Sequence, residues 1–493
     1  GSSHFCSSFA TPPLGAMAAR TSDCACACIF GEPLTGPDKY TGAAVGDDGK
    51  LYAIPGTAKV VLQIDPGTLQ VRKLPTRCDA GSFVGNELPR GRFKWLRGIT
   101  AADVTFGEGA AIYGIPCNAH AVLKIVPRTG EVSALTHWTD PATGRRRENP
   151  VLRGSFKYHG GVLSPSDGNI YCINASADRP LMIVPRTGEV CVIGDEPLLP
   201  ELGDGSAAAD AEGADRDRAT GIGYGGRWYG GLLGSDGCVY GMPCNADSVL
   251  KIVPAGLAAD GRPRVTTLRP AVPQSLPLGR WKYHGGMSTQ GGGVLYAVPM
   301  HADFVLAVVP ATGEVRLIGE AAIPAGPVFQ ETPRWTPGKY KYGGAVRAPD
   351  GETVYVIPYD SHDVLKVSPD GSVRALAVSD GSSAADFRCQ NKWQNGFVGA
   401  DGCIYAIPVN APAILRVDPR TDEVTTFGRE LVGPQADKWE GGVVCPADGA
   451  LYCVPQCAPG ILRIAPGQGC RLAGPARRGA GCLGRLAALL CAP

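Results

Sequence analysis

Eight times along the chain, a basic residue and an aromatic lead into glycine, a short apolar run, a turn, and a second apolar run that usually closes on proline. The clearest copies read Lys157-Tyr158-His159-Gly160-Gly161 followed by Ile170-Tyr171, and Arg227-Trp228-Tyr229-Gly230-Gly231 followed by Val239-Tyr240. The others open at Lys39-Tyr40, Lys94-Trp95, Lys282-Tyr283, near Tyr340 to Tyr342, at Lys392-Trp393 and at Lys438-Trp439. Starts running from 39 to 438 set a mean period of about 57 residues. A repeat of that length, all strand and turn, is the signature of a β-propeller.

The last copy shows the grammar of one unit. Gly441-Gly442-Val443-Val444 is a short run, and Ala447-Asp448-Gly449 supplies the turn. Leu451 to Pro455 and Ile461 to Ile464 follow, Pro466-Gly467 turns the chain, and Cys470-Arg471-Leu472 is expected to begin a fourth strand. Asp-Gly and Thr-Gly pairs recur at the same turns, where glycine accepts the positive φ of a tight hairpin. The reading is therefore all-β: one eight-bladed propeller of four-stranded antiparallel blades, with seven blades as the alternative. A blade cannot bury its own faces, so the ring folds as one body despite a length of 493 residues. Residues 38–475 are assigned to the ring, 1–37 to an N-terminal Cys-containing tail and 476–493 to a C-terminal tail. No strand is visibly left over for closure, which falls to packing or to the Cys-rich N-terminal stretch.

Forty-seven basic and 46 acidic residues leave a net charge of +1, which excludes a dominant electrostatic partner such as nucleic acid or an anionic membrane. No stretch is apolar for the ~18 residues of a membrane span. The first 22 residues hold Arg20 but no acid, faintly like the end of an organelle transit segment, and are read as a tail. A soluble, intracellular or organellar protein is expected rather than a secreted one. The 18 Cys are read as small apolar filling, largely free thiols, with Cys117, Cys172, Cys238 and Cys244 buried or half buried. Cys445 and Cys453 lie nearly opposite across one hairpin, where a bridge is geometrically conceivable. The Cys24-Ala25-Cys26-Ala27-Cys28 alternation matches no zinc-binding spacing.

The turns after the first and third strands are tight, so the variable features gather on the other face, with the second-to-third hairpins and the blade crossovers. Tips there include Cys117-Asn118-Ala119-His120, Cys244-Asn245-Ala246-Asp247, His301-Ala302-Asp303, Asp360-Ser361-His362-Asp363 and Asn410-Ala411. Long crossovers run from Gly194 to Gly226 and from Gly319 to Gly338, the first carrying Asp204, Asp210, Glu212, Asp215 and Asp217 without calcium-loop spacing. The candidate partner or ligand face comprises Lys157, Tyr158, Arg227, Trp228, Lys282, Tyr283, Lys392, Trp393, Lys438 and Trp439, with His120, Asp247, His301 and His362 at the tips. Each lysine head is expected to be solvated above an aromatic packed between blades. The position after each aromatic is read as Thr41, Leu96, His159, Tyr229, His284, Tyr342, Gln394 and Glu440. If the channel is catalytic, His159, His284 and Glu440 are the acid–base candidates. No nucleophile elbow, phosphate loop, zinc-protease motif or dinucleotide fingerprint occurs, so no cofactor is assigned.

The repeat resembles propeller units of the kelch, NHL and streptogramin-lyase or gluconolactonase types over Lys39 to Gly474. It looks closest to eight-repeat propellers of algae and protists that open on Lys-Trp-x-Gly-Gly. The lyase resemblance implies a catalytic His with a metal-binding acid; His159 and His284 occupy equivalent places, and no acid matches. The function expected is a non-catalytic binding or assembly propeller, a subunit or scaffold in a larger protein complex, acting through its crossover face. The alternatives are a channel-mouth lyase or lactone hydrolase with a divalent metal, and a lectin for glycans or anionic ligands.

Overall fold

The computed structural model describes residues 18–20, 25–75, 88, 91–103, 109–139, 143–195, 198, 226–271, 276, 279–319, 322–323, 340–379 and 389–466. The interiors of the two long crossovers with their acidic residues, Cys24, the strand expected at Cys470-Arg471-Leu472 and the C-terminal tail lie outside them. Eight antiparallel blades follow one another along the chain, each of four strands. Blade one is Tyr40–Val45, Leu51–Pro55, Val61–Ile64 and Val71–Leu74, paired in that order. The second strand of nearly every blade is buried from end to end, as in Leu51–Pro55, Ile404–Pro408 and Leu451–Pro455. Strands sandwiched between neighbouring blades read as continuous apolar runs for that reason.

In five of the units one aspartate holds two things at the first turn. Asp48, Asp167, Asp236, Asp401 and Asp448 each accept the backbone N–H two residues on. The second carboxylate oxygen of each takes the hydroxyl proton of the tyrosine four residues on, at 2.7 to 2.8 Å. The turn and the buried second strand are thereby tied together.

Consecutive blades are joined by the basic residue of the repeat. Lys157 N–H donates to Cys117 O of the preceding blade, and Lys157 C=O accepts from Ala175 and Ala177 of its own. The same pair of bonds is made by Lys94, Arg227, Lys282, Lys341, Lys392, Lys438 and, across the seam, Lys39 with Gln456. The residue before it is left-handed at Asp38, Phe93, Phe156, Trp281, Tyr340, Asn391 and Asp437, with φ between 47° and 57°. A hairpin-tip side chain from the preceding blade steadies that bend in four places. Asn118 Oδ1 accepts from Phe156 N, Asn245 from Trp281 N, Asp360 from Asn391 N and Asn410 from Asp437 N, at 2.6 to 2.7 Å.

The side chains of these basic residues correct the sequence reading. Lys157, Lys282, Lys392 and Lys438 are buried, not solvated. Lys157 Nζ donates to the carbonyls of Cys117, Ala119 and Gly154 at 2.7 to 2.9 Å. Lys39, Lys282 and Lys438 reach the carbonyl three residues back, Lys94 reaches Ala58 O, and Arg227 reaches Ala177 O. Hairpin tips and crossovers bend so sharply that their carbonyls point inward, and an ammonium is the compact donor that satisfies several at once. Burial pushes Lys94, Lys157, Lys282, Lys392 and Lys438 down to about 8. The aromatic beside each is buried as expected, and Trp95, Trp228, Trp393 and Trp439 donate Nε1–H to the carbonyl just ahead of the third strand.

Closure uses the N-terminal stretch. Blade eight takes Trp439–Val444, Leu451–Pro455 and Ile461–Pro466 from the end of the chain, and its outer strand is Ala25–Phe30, in register from Ala25↔Pro466 to Phe30↔Ile461. That strand lies within the stretch read as a tail, and a short strand at Ala18–Arg20 pairs outside it. The seam is locked again where Gln456 Nε2 donates to Asp38 Oδ1 and Arg92 pairs with the same aspartate. Among the described residues Cys445 and Cys453 are free thiols, as are Cys117, Cys172, Cys238 and Cys244, and these last four are buried.

Two outcomes follow. Lys157→Met strands carbonyls at the junction of blades two and three and is expected to cost on the order of 3 kcal/mol in urea unfolding; exposed Arg186→Ala should stay within about 0.5 kcal/mol. Ala27→Asp, which places a charge at a site 2% exposed in the closing strand, should lower the unfolding midpoint and make blade eight the first to lose amide protection in hydrogen exchange.

Candidate functional site: the channel mouth

In blades two, three and five, two residues stand between the buried aromatic and the regular part of the innermost strand. In blade three Tyr158 pairs with Asn174 and Gly161 with Cys172, leaving His159 and Gly160 in a bulge. The same bulge holds Leu96-Arg97 in blade two and His284-Gly285 in blade five. The first of the two side chains turns to the axis. His159 and Tyr229 stack with centroids 4.0 Å apart and planes 7° from parallel. His284 meets both edge-on, at 5.5 and 5.3 Å. His159 and His284 belong to blades three and five, so they touch across blade four, which places them at the centre of the ring.

In blades three and four the second position is crowded and left-handed. A Cβ at Gly160 would lie 2.9 Å from Gly230 Cα, and one at Gly230 would lie 2.8 Å from Gly285 Cα. Their φ values are +87° and +65°, so glycine is required on both counts. Two blades depart from it. Blade seven has Asn395, at φ 57°, and blade two has Arg97.

Arg97 is solvent-exposed, yet its charge acts on Glu440, His159 and His284, which stand on three other blades. It therefore lies over the channel mouth, where desolvation lowers its own pKa and the charge of Glu440 opposes that shift. Among the described residues it makes no hydrogen bond or ion pair. Glu440 faces it from blade eight, where Gln394 Nε2 donates to Oε1 at 3.4 Å and Asn395 Nδ2 lies 3.5 Å from the Glu440 backbone oxygen. Burial, then the charges of Asp38 and Asp437, push the Glu440 carboxyl up to about 7. Burial, then Arg97, push His284 down to about 4; burial, His284 and Arg97 hold His159 well below the ordinary imidazole range. Both rings are neutral at physiological pH. His159 Nδ1 is buried without a hydrogen-bond partner among the described residues. The mouth thus combines an unpaired guanidinium, a carboxyl that titrates near neutrality, and a flat neutral aromatic wall.

The sequence-derived residues separate into three groups. His159, His284 and Glu440 are at the mouth, with the two imidazoles together and Glu440 beside Gln394 on another arc. Lys157, Tyr158, Trp228, Lys282, Tyr283, Lys392, Trp393, Lys438 and Trp439 are buried between blades, and Arg227 is half buried, because they build the junctions just described. The tip residues stand on separate blades. His120 is exposed, Asp247 pairs with Arg269 at 2.8 Å, His301 packs edge-on to Tyr340 and lies 3.0 Å from Arg280 O, and His362 is half buried. Tyr342 is the buried aromatic of its repeat and not the residue after it, a place that belongs to Gly343. Arg97 escaped the sequence reading; its signal was the missing glycine in Leu96-Arg97-Gly98, where other repeats read x-Gly-Gly. No three His, Cys, Asp or Glu side chains come together as a metal-holding group among the described residues.

No protein-family model and no curated protein matches the chain. Among solved structures it is similar to streptogramin B lyase, at 14% identity and TM-score 0.46 over 82% of this chain and 97% of that one. It is similar to virginiamycin B lyase from Staphylococcus aureus at 13% and 0.45, over 89% and 99% of the two chains. AztD from Citrobacter koseri is similar at 15% and 0.46, over 84% and 93%. These structures are β-propellers, as this chain is.

Proposed function

We propose that the chain is a non-catalytic binding propeller that docks protein partners through its crossover face, as a subunit or scaffold of a larger assembly. The observation that carries this reading is the difference in kind between the two faces. Five of the turns on one side repeat a single device, the aspartate that caps the turn and holds a tyrosine. The crossover side presents tips that differ from blade to blade, and His120 and Asp247 there stay exposed outside the inter-blade bonding. Side chains that the blade junctions do not use, varied around a rigid rim, are the raw material of specific recognition. The only exposed large hydrophobic among the described residues is Leu257, which lies at a third-to-fourth turn on the opposite face. Contact through the crossover face is therefore polar and reversible in character, unlike the apolar interface of an obligate dimer. The acid–base candidates fit this reading: His159 and His284 are stacked neutral rings, and Glu440 stands apart from them. Kinship with the algal and protist propellers rests on the shared Lys-Trp-x-Gly-Gly opening alone.

The test is cross-linking mass spectrometry on the full chain purified with its native partner, followed by affinity measurement on variants. Cross-links are expected on the hairpin tips of blades two and four. Asp247→Lys combined with His120→Glu should weaken partner binding about tenfold or more, on the scale of ~1.4 kcal/mol per decade, while Arg264→Glu on the other face leaves it unchanged. Loss with Arg264→Glu and retention with the tip variant would assign binding to the wrong face.

A further inference from the structure

Beyond partner docking, we infer that the channel mouth is a binding site for a small molecule bearing an oxyanion, anchored by Arg97 and gated by the protonation of Glu440. Arg97 occupies a position that the ring otherwise gives to glycine or, once, asparagine, and it stands in the bulge of the innermost strand of blade two. Among the described residues no hydrogen bond or ion pair holds it, and the opposing charge it feels is that of Glu440. A guanidinium that makes no hydrogen bond to the fold keeps its fork of donors for a ligand, and that fork is matched to carboxylate or phosphate. The surrounding groups are of the right kind to complete such a site. The His159–Tyr229 stack offers a flat neutral wall on one side, and Gln394, Asn395 and Glu440 offer polar atoms on the other.

The groups facing Glu440 decide how the site responds to pH. Asp38 and Asp437 face it from the loops ahead of blades one and eight, Gln394 and Asn395 from blade seven, and Arg97 from blade two. Asp38 is itself held by Arg92 and Gln456. His284, pushed down to about 4, and His159, held well below the ordinary imidazole range, contribute no charge between pH 6 and 8. With its folded-state value raised to about 7, Glu440 is protonated at pH 6 and can donate to a bound oxyanion. At pH 8 it is a carboxylate that repels the ligand and competes for Arg97. Anion affinity is therefore high below neutrality and falls as pH rises through 7.

Isothermal titration of the full chain with sodium lactate and with sodium sulfate tests this, because neither probe changes charge between pH 6 and 8. Sodium chloride at matched ionic strength is the reference. Binding of either probe at pH 6, weakened at least fivefold at pH 8, is the expected result. A response to lactate alone assigns a planar carboxylate, and a response to sulfate alone assigns a tetrahedral oxyanion. Arg97→Gln should abolish the heat at both pH values while leaving the circular dichroism spectrum and unfolding midpoint unchanged. Glu440→Gln should bind equally at pH 6 and pH 8. No binding of either anion by the wild-type chain, or undiminished binding by Arg97→Gln, overturns the proposal. Either result leaves the crossover-face reading untouched, because that is measured on different residues.

Discussion

Every blade of this propeller meets the next through one backbone position, the basic residue that opens the repeat. Its N–H is spent on the preceding blade and its C=O on its own, so neither blade can shift without breaking both bonds. Wedge-shaped sheets packed face to face have apolar surfaces that tolerate sliding, since the hydrophobic effect has no direction. The hydrogen-bonded junction supplies the missing direction. Burying the side chain at the same place looks costly, because an ammonium loses its water. At Lys39, Lys94, Lys157, Lys282 and Lys438 the cost is offset by carbonyls that the sharp crossovers and tips would otherwise leave unpaired in the interior. Lys157, with three such carbonyls, is the fullest case.

The repeat length, the turn chemistry and the order of strands were legible in the sequence because they depend on local residues. Asp-Gly pairs mark turns wherever they occur, and apolar runs of five mark strands. The aromatic beside each lysine was likewise read as packed between blades. The lysine itself was misread, since sequence gives its charge but not the inward-pointing carbonyls that receive it. Asn118, Asn245, Asp360 and Asn410 show the same limit: they read as turn formers, yet each also caps a bend in the next blade, some 30 residues further along.

The candidate site was half legible. His159, His284 and Glu440 stand out because they vary where the repeat is otherwise constant, and all three do reach the axis. Their relation was not legible, since it arises from ring closure that brings blades three and five across blade four. Arg97 was hidden by the alignment of repeats on the residue directly after the aromatic. It sits one place later, where a side chain looks like a loss of glycine and not like a gain of function.

The seam between blade eight and blade one adds a constraint of timing. Gln456 and Asp38 lie 418 residues apart in sequence, and the strand Ala25–Phe30 has its partner at Ile461–Pro466. During synthesis the first of these strands leaves the ribosome long before the second exists, at roughly 5–20 residues per second. Until then it is an apolar edge with free donors and acceptors, open to pairing with any other strand. The seven self-contained blades can form in sequence as they emerge, but the ring becomes a ring only in its last step. A chain of this design spends most of its birth as an open arc, and its exposure to misassembly is concentrated at one strand.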